Sequence, residues 1–140
     1  MSGLHYDELN IHCPLPSMQK GLLTQSQIWQ YAKASGDSNP IHIDDSAAKN
    51  AGLDGTIAHG MLVMGLLGEM ISTWAGIQNI KTYRVRFKGV AKPGDILTSR
   101  GEIVKKYVSG NDKIIECKVL VENQRKEIIV DGSAAIRCQD

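Results

Sequence analysis

The chain has 140 residues, with 16 basic and 15 acidic side chains and a formal net charge of +1. This length is typical of one domain, so we expect residues 1–140 to form a single domain. The charge balance gives no electrostatic reason to expect binding to nucleic acid or to a membrane surface.

Cysteine use and hydropathy indicate the compartment. Cys13, Cys117 and Cys138 lie far apart in the sequence. An odd number of cysteines without a C-x-x-C pair argues against a disulfide framework and a zinc site, and favours a reducing compartment. The N-terminus lacks the pattern of a secretory signal. The apolar segment 60–76 contains Glu69 and is too short to cross a bilayer comfortably. We therefore expect a soluble cytoplasmic protein.

The first predicted helix begins after Thr24. Thr24 and Gln27 have the spacing of a capping box, and Gly36 is a typical C-terminal cap. A short second helix is predicted from Asp45 to Ala51. The first twenty residues predict only one or two short strands.

The segment from Gly60 to Trp74 predicts a helix of another kind, because apolar residues occupy nearly every side of it. A helix that is apolar all round is expected to be buried all round. Gly60, Gly65 and Gly68 each cost about 1 kcal/mol relative to Ala inside a helix. Their presence predicts that another backbone or a ligand approaches closely, and one buried helix among strands predicts a sheet wrapped around it.

From Lys81 to the end, apolar and polar residues alternate as in strands. Turns are predicted at 93–95 and 109–112, and a bulge at Gly101. Strands joined by short turns indicate an antiparallel meander. Helices kept apart from such a sheet give an α+β domain.

The loop after the first helix reads SGDSNPIH from Ser35 to His42. Pro40 fixes its own φ and disfavours helix just before it, so the loop should be stiff. A stiff loop can hold Asp37 and His42 together for proton transfer, with Asn39 orienting either group or a water. The same composition is also that of an ordinary turn, which is the better explanation on the residues alone.

His59 and Gly60 lie at the start of the apolar helix. Free N–H groups and the positive end of the helix dipole are found there, and Gly60 has no side chain to block a ligand. This is the physical description of an oxyanion hole. A polar His at a helix start is the simpler explanation of His59 taken alone.

Three segments resemble the MaoC-like dehydratase family, which includes the (R)-specific enoyl-CoA hydratases. The most specific is YAKASGDSNPIHIDDSAA, residues 31–48, which resembles the hydratase motif of that family. Residues 55–67 are similar to the start of its central helix, and residues 83–97 to its strand–turn–strand segment. The resemblance extends over about residues 20–137.

The resemblance implies a hot-dog fold, in which an antiparallel sheet wraps around one long helix. It also implies a homodimer or higher homo-oligomer, with the acyl thioester bound at the subunit interface. The substrate would be an acyl-CoA or an acyl carrier protein thioester. No metal or redox cofactor would be needed, because the thioester already activates the double bond.

The activity implied by the resemblance is reversible syn addition of water to a trans-2-enoyl thioester, which gives the (R)-3-hydroxyacyl thioester. By position, Asp37 would activate the water, and His42 would share that water and help to deliver a proton to C2. The backbone N–H of Gly60 would hold the thioester oxygen. Asn39 and His59 would not touch the substrate but would hold Asp37 and His42 in place.

The residues that bind the carrier group are less specific. Arg84 and Lys88 are candidates, because phosphates need cations and these side chains lie in a basic stretch. The acyl pocket is expected between the central helix and the segment 43–58. The compact chain favours short or medium acyl groups.

Two alternatives remain at this point. One is a hot-dog acyl-CoA thioesterase, with Glu69 as the acid on the central helix. The other is a subunit of a heteromeric acyl carrier protein dehydratase, in which this chain would be the active one because it holds both Asp37 and His42. The intact loop motif favours the hydratase over the thioesterase, which the fold alone would not decide.

Overall fold

The computed structural model describes residues 3–139, in which one helix packs against one face of a five-stranded antiparallel sheet. The elements in chain order are β1 (Met18–Leu22), α1 (Gln25–Ser35), α2 (Asp45–Asn50), α3 (Gly60–Ala75), β2 (Ile80–Phe87), β3 (Ile96–Ser109), β4 (Asp112–Glu122) and β5 (Ile128–Cys138). The strand order across the sheet is β1-β3-β4-β5-β2. This arrangement confirms the predicted α+β class and hot-dog fold.

Helix α1 forms where its capping signals predict it. The Gln27 side-chain oxygen accepts from the Thr24 N–H at 2.9 Å, and the Thr24 hydroxyl accepts from the Gln27 N–H at 3.1 Å. Both donors would otherwise be unsatisfied at the helix start. Gly36 ends the helix with φ 79°, a left-handed conformation that glycine adopts without a steric penalty. Helix α2 ends at Asn50, one residue before the predicted end.

Helix α3 supplies the centre of the core. Its inner residues pack against buried residues of the sheet, and the cluster includes Val63, Leu67, Met70, Ile71, Ile103, Ile115, Val119 and Ile136. The prediction that α3 is buried all round is wrong. Met61, Gly65, Glu69 and Thr73 are exposed and recur every fourth position, so they form one strip along the helix. A single sheet covers only one side of a helix, and the loops cover only part of the rest.

Two of the three α3 glycines meet an aromatic ring of β2. A Cβ on Gly60 would lie 2.8 Å from the ring of Phe87, and one on Gly68 would lie 3.4 Å from the ring of Tyr83. The neighbour at these two positions is therefore a side chain and not the backbone or ligand predicted, and only at Gly60 is the approach too close for a Cβ. Gly65 lies on the exposed strip, and a Cβ there would meet no heavy atom of the described residues within 4 Å.

The sheet is a meander only from β3 to β5. The 109–112 hairpin turn forms as predicted, with Gly110 at φ 62°. Strand β2 does not pair with β3; it pairs with β5 at the far edge of the sheet. The bulge predicted at Gly101 is also misplaced, because the register of β3 shifts between Ile103 and Lys105. Gly101 instead allows close contact, since a Cβ there would lie 2.9 Å from the Lys118 carbonyl oxygen.

The described part of the chain has three free cysteines. Burial raises the pKa of the Cys117 thiol to about 12, and it also raises the pKa of Cys138. Both thiols are therefore protonated at neutral pH and are poor nucleophiles. Within residues 3–139, no helix has the length and apolar character needed to cross a membrane.

Replacing Gly132 should destabilise the sheet severely. Gly132 faces Val85 across the β5–β2 pair, and a Cβ there would collide with the backbone of Arg84. We expect Gly132→Ala to lower the free energy of unfolding by about 3 kcal/mol, because backbone atoms would have to move. Gly65→Ala should instead raise it by up to about 1 kcal/mol through helix propensity. Guanidinium unfolding of both variants measures these changes, and equal effects at the two positions would contradict this explanation.

Candidate active site

The SGDSNPIH loop folds through its own side chains. The Asp37 carboxylate accepts from the Asn39 N–H at 3.3 Å, and the Asn39 side-chain oxygen accepts from the Ile41 N–H at 3.2 Å. Asn39 thereby caps a single 3₁₀ turn, Pro40–His42, with proline at its first position. The turn predicted from the sequence is thus present, and its hydrogen bonds set the position of Asp37 relative to His42. Asn39 bonds to the Asp37 carboxylate through its backbone N–H, and its side chain caps the turn.

The His42 imidazole is 7% exposed and is held by a backbone carbonyl. Its Nδ1 lies 2.8 Å from the carbonyl oxygen of Ile57. A carbonyl can only accept, so Nδ1 carries the proton of the neutral ring and Nε2 carries a lone pair. Such a bond fixes both the tautomer and the orientation of an imidazole. The free Nε2 is therefore the nitrogen available for proton transfer.

His59 lies directly behind these groups. Its ring stacks on His42, with centroids 3.8 Å apart and an interplanar angle of 24°, and Tyr31 packs on it at 4.9 Å. Its Nε2 donates to the backbone carbonyl of Asp37 at 2.9 Å. His59 is only 2% exposed, and among the described residues its Nδ1 has no hydrogen-bond partner.

Gly60 begins α3 at the mouth of the same cavity. As the first helical residue it has an N–H that the helix cannot satisfy, at the positive end of a 16-residue helix. The cavity has a volume of about 380 Å³, and its wall includes Asp37, His42, His59, Gly60 and, on the apolar side, Met61, Phe87, Val90 and Val130. An acid, an imidazole and a free helix N-terminus thus face one small, largely apolar space.

Comparison with known proteins identifies the family. The family model described as "MaoC like domain" matches residues 14–125, which include the loop, α3 and most of the sheet. The chain belongs to the MaoC-like family. The resemblance noted in the sequence motifs is therefore confirmed.

Several characterised proteins are similar to this MaoC-like chain. The 3-hydroxybutyryl-CoA dehydratase of Methylorubrum extorquens is 24% identical over 137 residues, which are 96% of this chain and 83% of that protein. The fatty acid synthase beta subunit hexB of Dothistroma septosporum is 30% identical over 121 residues, covering 76% of this chain but only 6% of that protein. The chain therefore spans a small part of that relative. The unliganded R-hydratase PhaJ1 of Pseudomonas aeruginosa has 28% identity and a TM-score of 0.83, covering 99% of this chain and 87% of that one.

The site also has the composition of a metal-binding cluster. Within residues 3–139, Asp37, His42 and His59 each present one ligand atom within 4.8 Å of the other two. Carboxylate oxygen and imidazole nitrogen are ligands that zinc accepts, and metal-bound histidines also donate their second nitrogen to a carbonyl. The geometry alone therefore suits either a proton-transfer pair or a divalent cation. The effect of a chelator on activity would distinguish these two possibilities.

The two candidate carrier-binding residues of this MaoC-like chain, Arg84 and Lys88, do not line this cavity. Arg84 lies on the outer face of the sheet beside Arg86 and Asp131, because alternate residues of β2 point to opposite faces. Lys88 is exposed beyond the end of β2 and is not part of the cavity wall. Carrier binding by Arg84 and Lys88 stays a prediction, and within one chain neither residue lines the cavity that Asp37 and His42 face.

Glu69 lies apart from Asp37 and His42, which we call the dyad. Its carboxylate pairs with Lys20 at 2.9 Å, and the side chain is 45% exposed. It lines a second cavity of about 460 Å³, formed by β1, α1 and another side of α3. Nine residues separate it from Gly60, roughly 13 Å along a helix. Glu69 and the Asp37–His42 pair therefore face separate cavities.

Sequence reasoning missed two aromatic residues of this site. Phe87 covers Gly60, and Tyr31 supports His59. Phe87 could have been found, because it continues the inward alternation of Tyr83 and Val85 along β2. Tyr31 lies on the inner face of α1, but its packing on a residue 28 positions later has no local signal.

Proposed function

We propose that the protein is an (R)-specific enoyl-thioester hydratase, or 3-hydroxyacyl-thioester dehydratase, working in fatty-acid metabolism. The observation that carries the proposal is the meeting of the Asp37 carboxylate, the free His42 nitrogen and the α3 N-terminus at one cavity. Membership of the MaoC-like family and the similarity to proteins named hydratase and dehydratase support it. The reaction is reversible syn addition of water to a trans-2-enoyl thioester.

Asp37 is the base in this mechanism. An ionised carboxylate can accept a proton from water while the water oxygen attacks C3 of the enoyl group. The Asn39 N–H bonds to the carboxylate, and the His59 bond to the Asp37 carbonyl holds the backbone from the other side. Both contacts keep the carboxylate beside the imidazole, so proton transfer needs no large side-chain movement.

His42 and Gly60 complete the addition. The lone pair on His42 Nε2 can accept a hydrogen bond from the attacking water, because Nδ1 is committed to Ile57. The proton that the water gives up to the Asp37–His42 pair is the one delivered to C2, so one O–H bond of the water breaks as the C3–O and C2–H bonds form. Negative charge develops on the thioester oxygen as C3 is attacked, and the N–H of Gly60 at the helix N-terminus is suited to stabilise it. The thioester itself polarises the double bond, so this mechanism requires no metal or redox cofactor.

The positions of Glu69 and the dyad favour the hydratase over the thioesterase. A hydrolase with Glu69 as its acid would need that carboxylate near the polarised carbonyl. Glu69 instead pairs with Lys20 over the second cavity.

We also propose that the active form is a homodimer with the site at the subunit interface. Strand β2 lies at the sheet edge with one side unpaired, and an edge strand can pair with a second chain. Phe87, Val90 and Met61 are 54%, 42% and 57% exposed around the cavity. Burying this patch against a second copy would both cover apolar surface and narrow the cavity mouth. Assembly with a different MaoC-like subunit is the alternative.

The purified protein should hydrate crotonyl-CoA. The expected result is loss of the enoyl-thioester absorbance and formation of (R)-3-hydroxybutyryl-CoA, detected by chiral analysis, without release of free thiol. A thiol reagent in a parallel assay serves as the control for hydrolysis. Thiol release without hydration would assign the protein to the thioesterases.

Removing either member of the dyad should abolish most turnover. We expect Asp37→Asn and His42→Gln each to lower kcat by about 10² or more, the range for a positioned acid–base group. Glu69→Gln is the matched control, since it neutralises an acid that faces the other cavity, and its kcat should stay near that of the wild type. An inactive Glu69→Gln variant together with an active Asp37→Asn variant would make Glu69, and not Asp37, the catalytic acid.

Metal removal should leave the activity intact. Protein dialysed against EDTA is expected to hydrate crotonyl-CoA at the untreated rate, because the thioester supplies the activation. Loss of activity that Zn²⁺ restores would instead assign a metal to Asp37, His42 and His59.

Sedimentation equilibrium should show a dimer or a larger homo-oligomer. The physical reason is the unpaired β2 edge together with the exposed apolar patch beside it. A stable monomer with full hydratase activity would contradict an interface site.

A further inference from the structure

A closed ring of hydrogen bonds surrounds the backbone of His42. The Gln25 amide donates from Nε2 to the His42 carbonyl oxygen at 2.9 Å, and the Thr56 hydroxyl donates to Gln25 Oε1 at 2.5 Å. Ile57 follows Thr56 in the chain, and its carbonyl accepts from His42 Nδ1. The ring therefore runs from the His42 backbone through Gln25, Thr56 and Ile57 to the His42 imidazole.

The amide orientation of Gln25 is determined by its neighbours. The His42 carbonyl is only an acceptor, so the Gln25 NH₂ group must face it. The Gln25 oxygen then faces Thr56, whose hydroxyl must donate. Each polar group in the ring thus has one workable role, which is the condition under which a buried network specifies a single geometry.

The ring joins parts of the chain that are otherwise separate. Gln25 is the first residue of α1, His42 ends the 3₁₀ turn, and Thr56 is 4% exposed in the segment before α3. The Thr56 N–H also donates to Asp45 Oδ1 at 3.0 Å, which ties the segment to α2. Loss of either Gln25 bond would leave the His42 turn joined to this segment only by the Ile57 N–H bond to Ile41 and by the imidazole's own bond to the Ile57 carbonyl.

We propose that Gln25 is a positioning residue for His42. Its amide holds the His42 backbone and, through Thr56, the segment whose Ile57 carbonyl sets the tautomer and plane of the imidazole. This inference rests on the proposed hydratase function. Gln25 touches no reacting atom; it acts by keeping His42 Nε2 directed at the water shared with Asp37.

Two matched pairs of variants test the role of the ring. Gln25→Met keeps side-chain length but removes both bonds, and Gln30→Met makes the same change at an exposed position of α1. Thr56→Val keeps the shape but removes the hydroxyl, whereas Thr56→Ser keeps the hydroxyl but removes a methyl group. We expect Gln25→Met and Thr56→Val each to lower kcat for crotonyl-CoA by about 10-fold, as for other residues that orient a functional histidine.

Several readouts separate positioning from a general loss of stability. The KM for crotonyl-CoA should change little, and Thr56→Ser should retain most of the wild-type kcat. The double variant Gln25→Met/Thr56→Val should have a kcat no lower than that of either single variant, because both bonds belong to one ring. The ¹⁵N signals of the His42 ring, assigned by their absence in His42→Gln, should show a protonated Nδ1 in the wild type. They should shift towards a tautomer mixture in Gln25→Met.

The inference is overturned if Gln25→Met keeps both the wild-type kcat and the wild-type ring signals, or if Thr56→Ser loses as much activity as Thr56→Val. If Gln25→Met does not fold, the Thr56 pair decides. A wild-type protein that does not hydrate crotonyl-CoA would defeat the proposed function only, and the ring signals would still decide whether Gln25 orients His42.

Discussion

The three-residue segment Thr56–Ala58 links the SGDSNPIH loop to the sheet and to α3. The Ile57 N–H donates to the Ile41 carbonyl at 3.2 Å, and the Ala58 N–H donates to the Ala91 carbonyl at 2.8 Å. The first bond joins the segment to the loop, and the second joins it to the strand connection beyond β2. Because α3 begins two residues later, the position of its N-terminus relative to His42 follows from these bonds. Together with the His59 bond to the Asp37 carbonyl, they hold the acid, the imidazole and the free N–H groups in one arrangement.

Local features of this fold were predictable from the sequence. The Thr24 cap, the Gly36 end of α1 and the 109–112 hairpin all depend on residues within a few positions of one another, and all three formed as expected. The SGDSNPIH loop is similar, since its shape comes from the Asp37 and Asn39 side chains bonding their own backbone. For this reason the placement of Asp37 beside His42 could be anticipated.

Features that depend on distant parts of the chain could not be predicted in this way. Alternation shows that β2 is a strand but not that it pairs with β5, because either edge of the sheet would bury Tyr83 and Val85. The exposed strip of α3 was missed for a similar reason, because the hydropathy of a helix does not show on how many sides other elements cover it. Gln25 gave no signal at all, since its bond to His42 spans 17 positions. The roles proposed for Asp37 and His42 came from the motif resemblance, because composition alone left them open.

The ring through Gln25, His42, Thr56 and Ile57 has a consequence for protein engineering. The SGDSNPIH octapeptide, which resembles the hydratase motif of the family, is only one of three stretches of chain that build this ring. Transplanting that octapeptide onto a loop of an unrelated scaffold would carry the acid and the imidazole but leave behind the Ile57 carbonyl and the Gln25 amide, which hold the imidazole. A transferable unit has to include the start of α1 and the strand-like approach to α3. Any transplant would therefore need at least the whole 25–60 stretch, together with a partner for the Ala58 N–H, which Ala91 supplies in this fold.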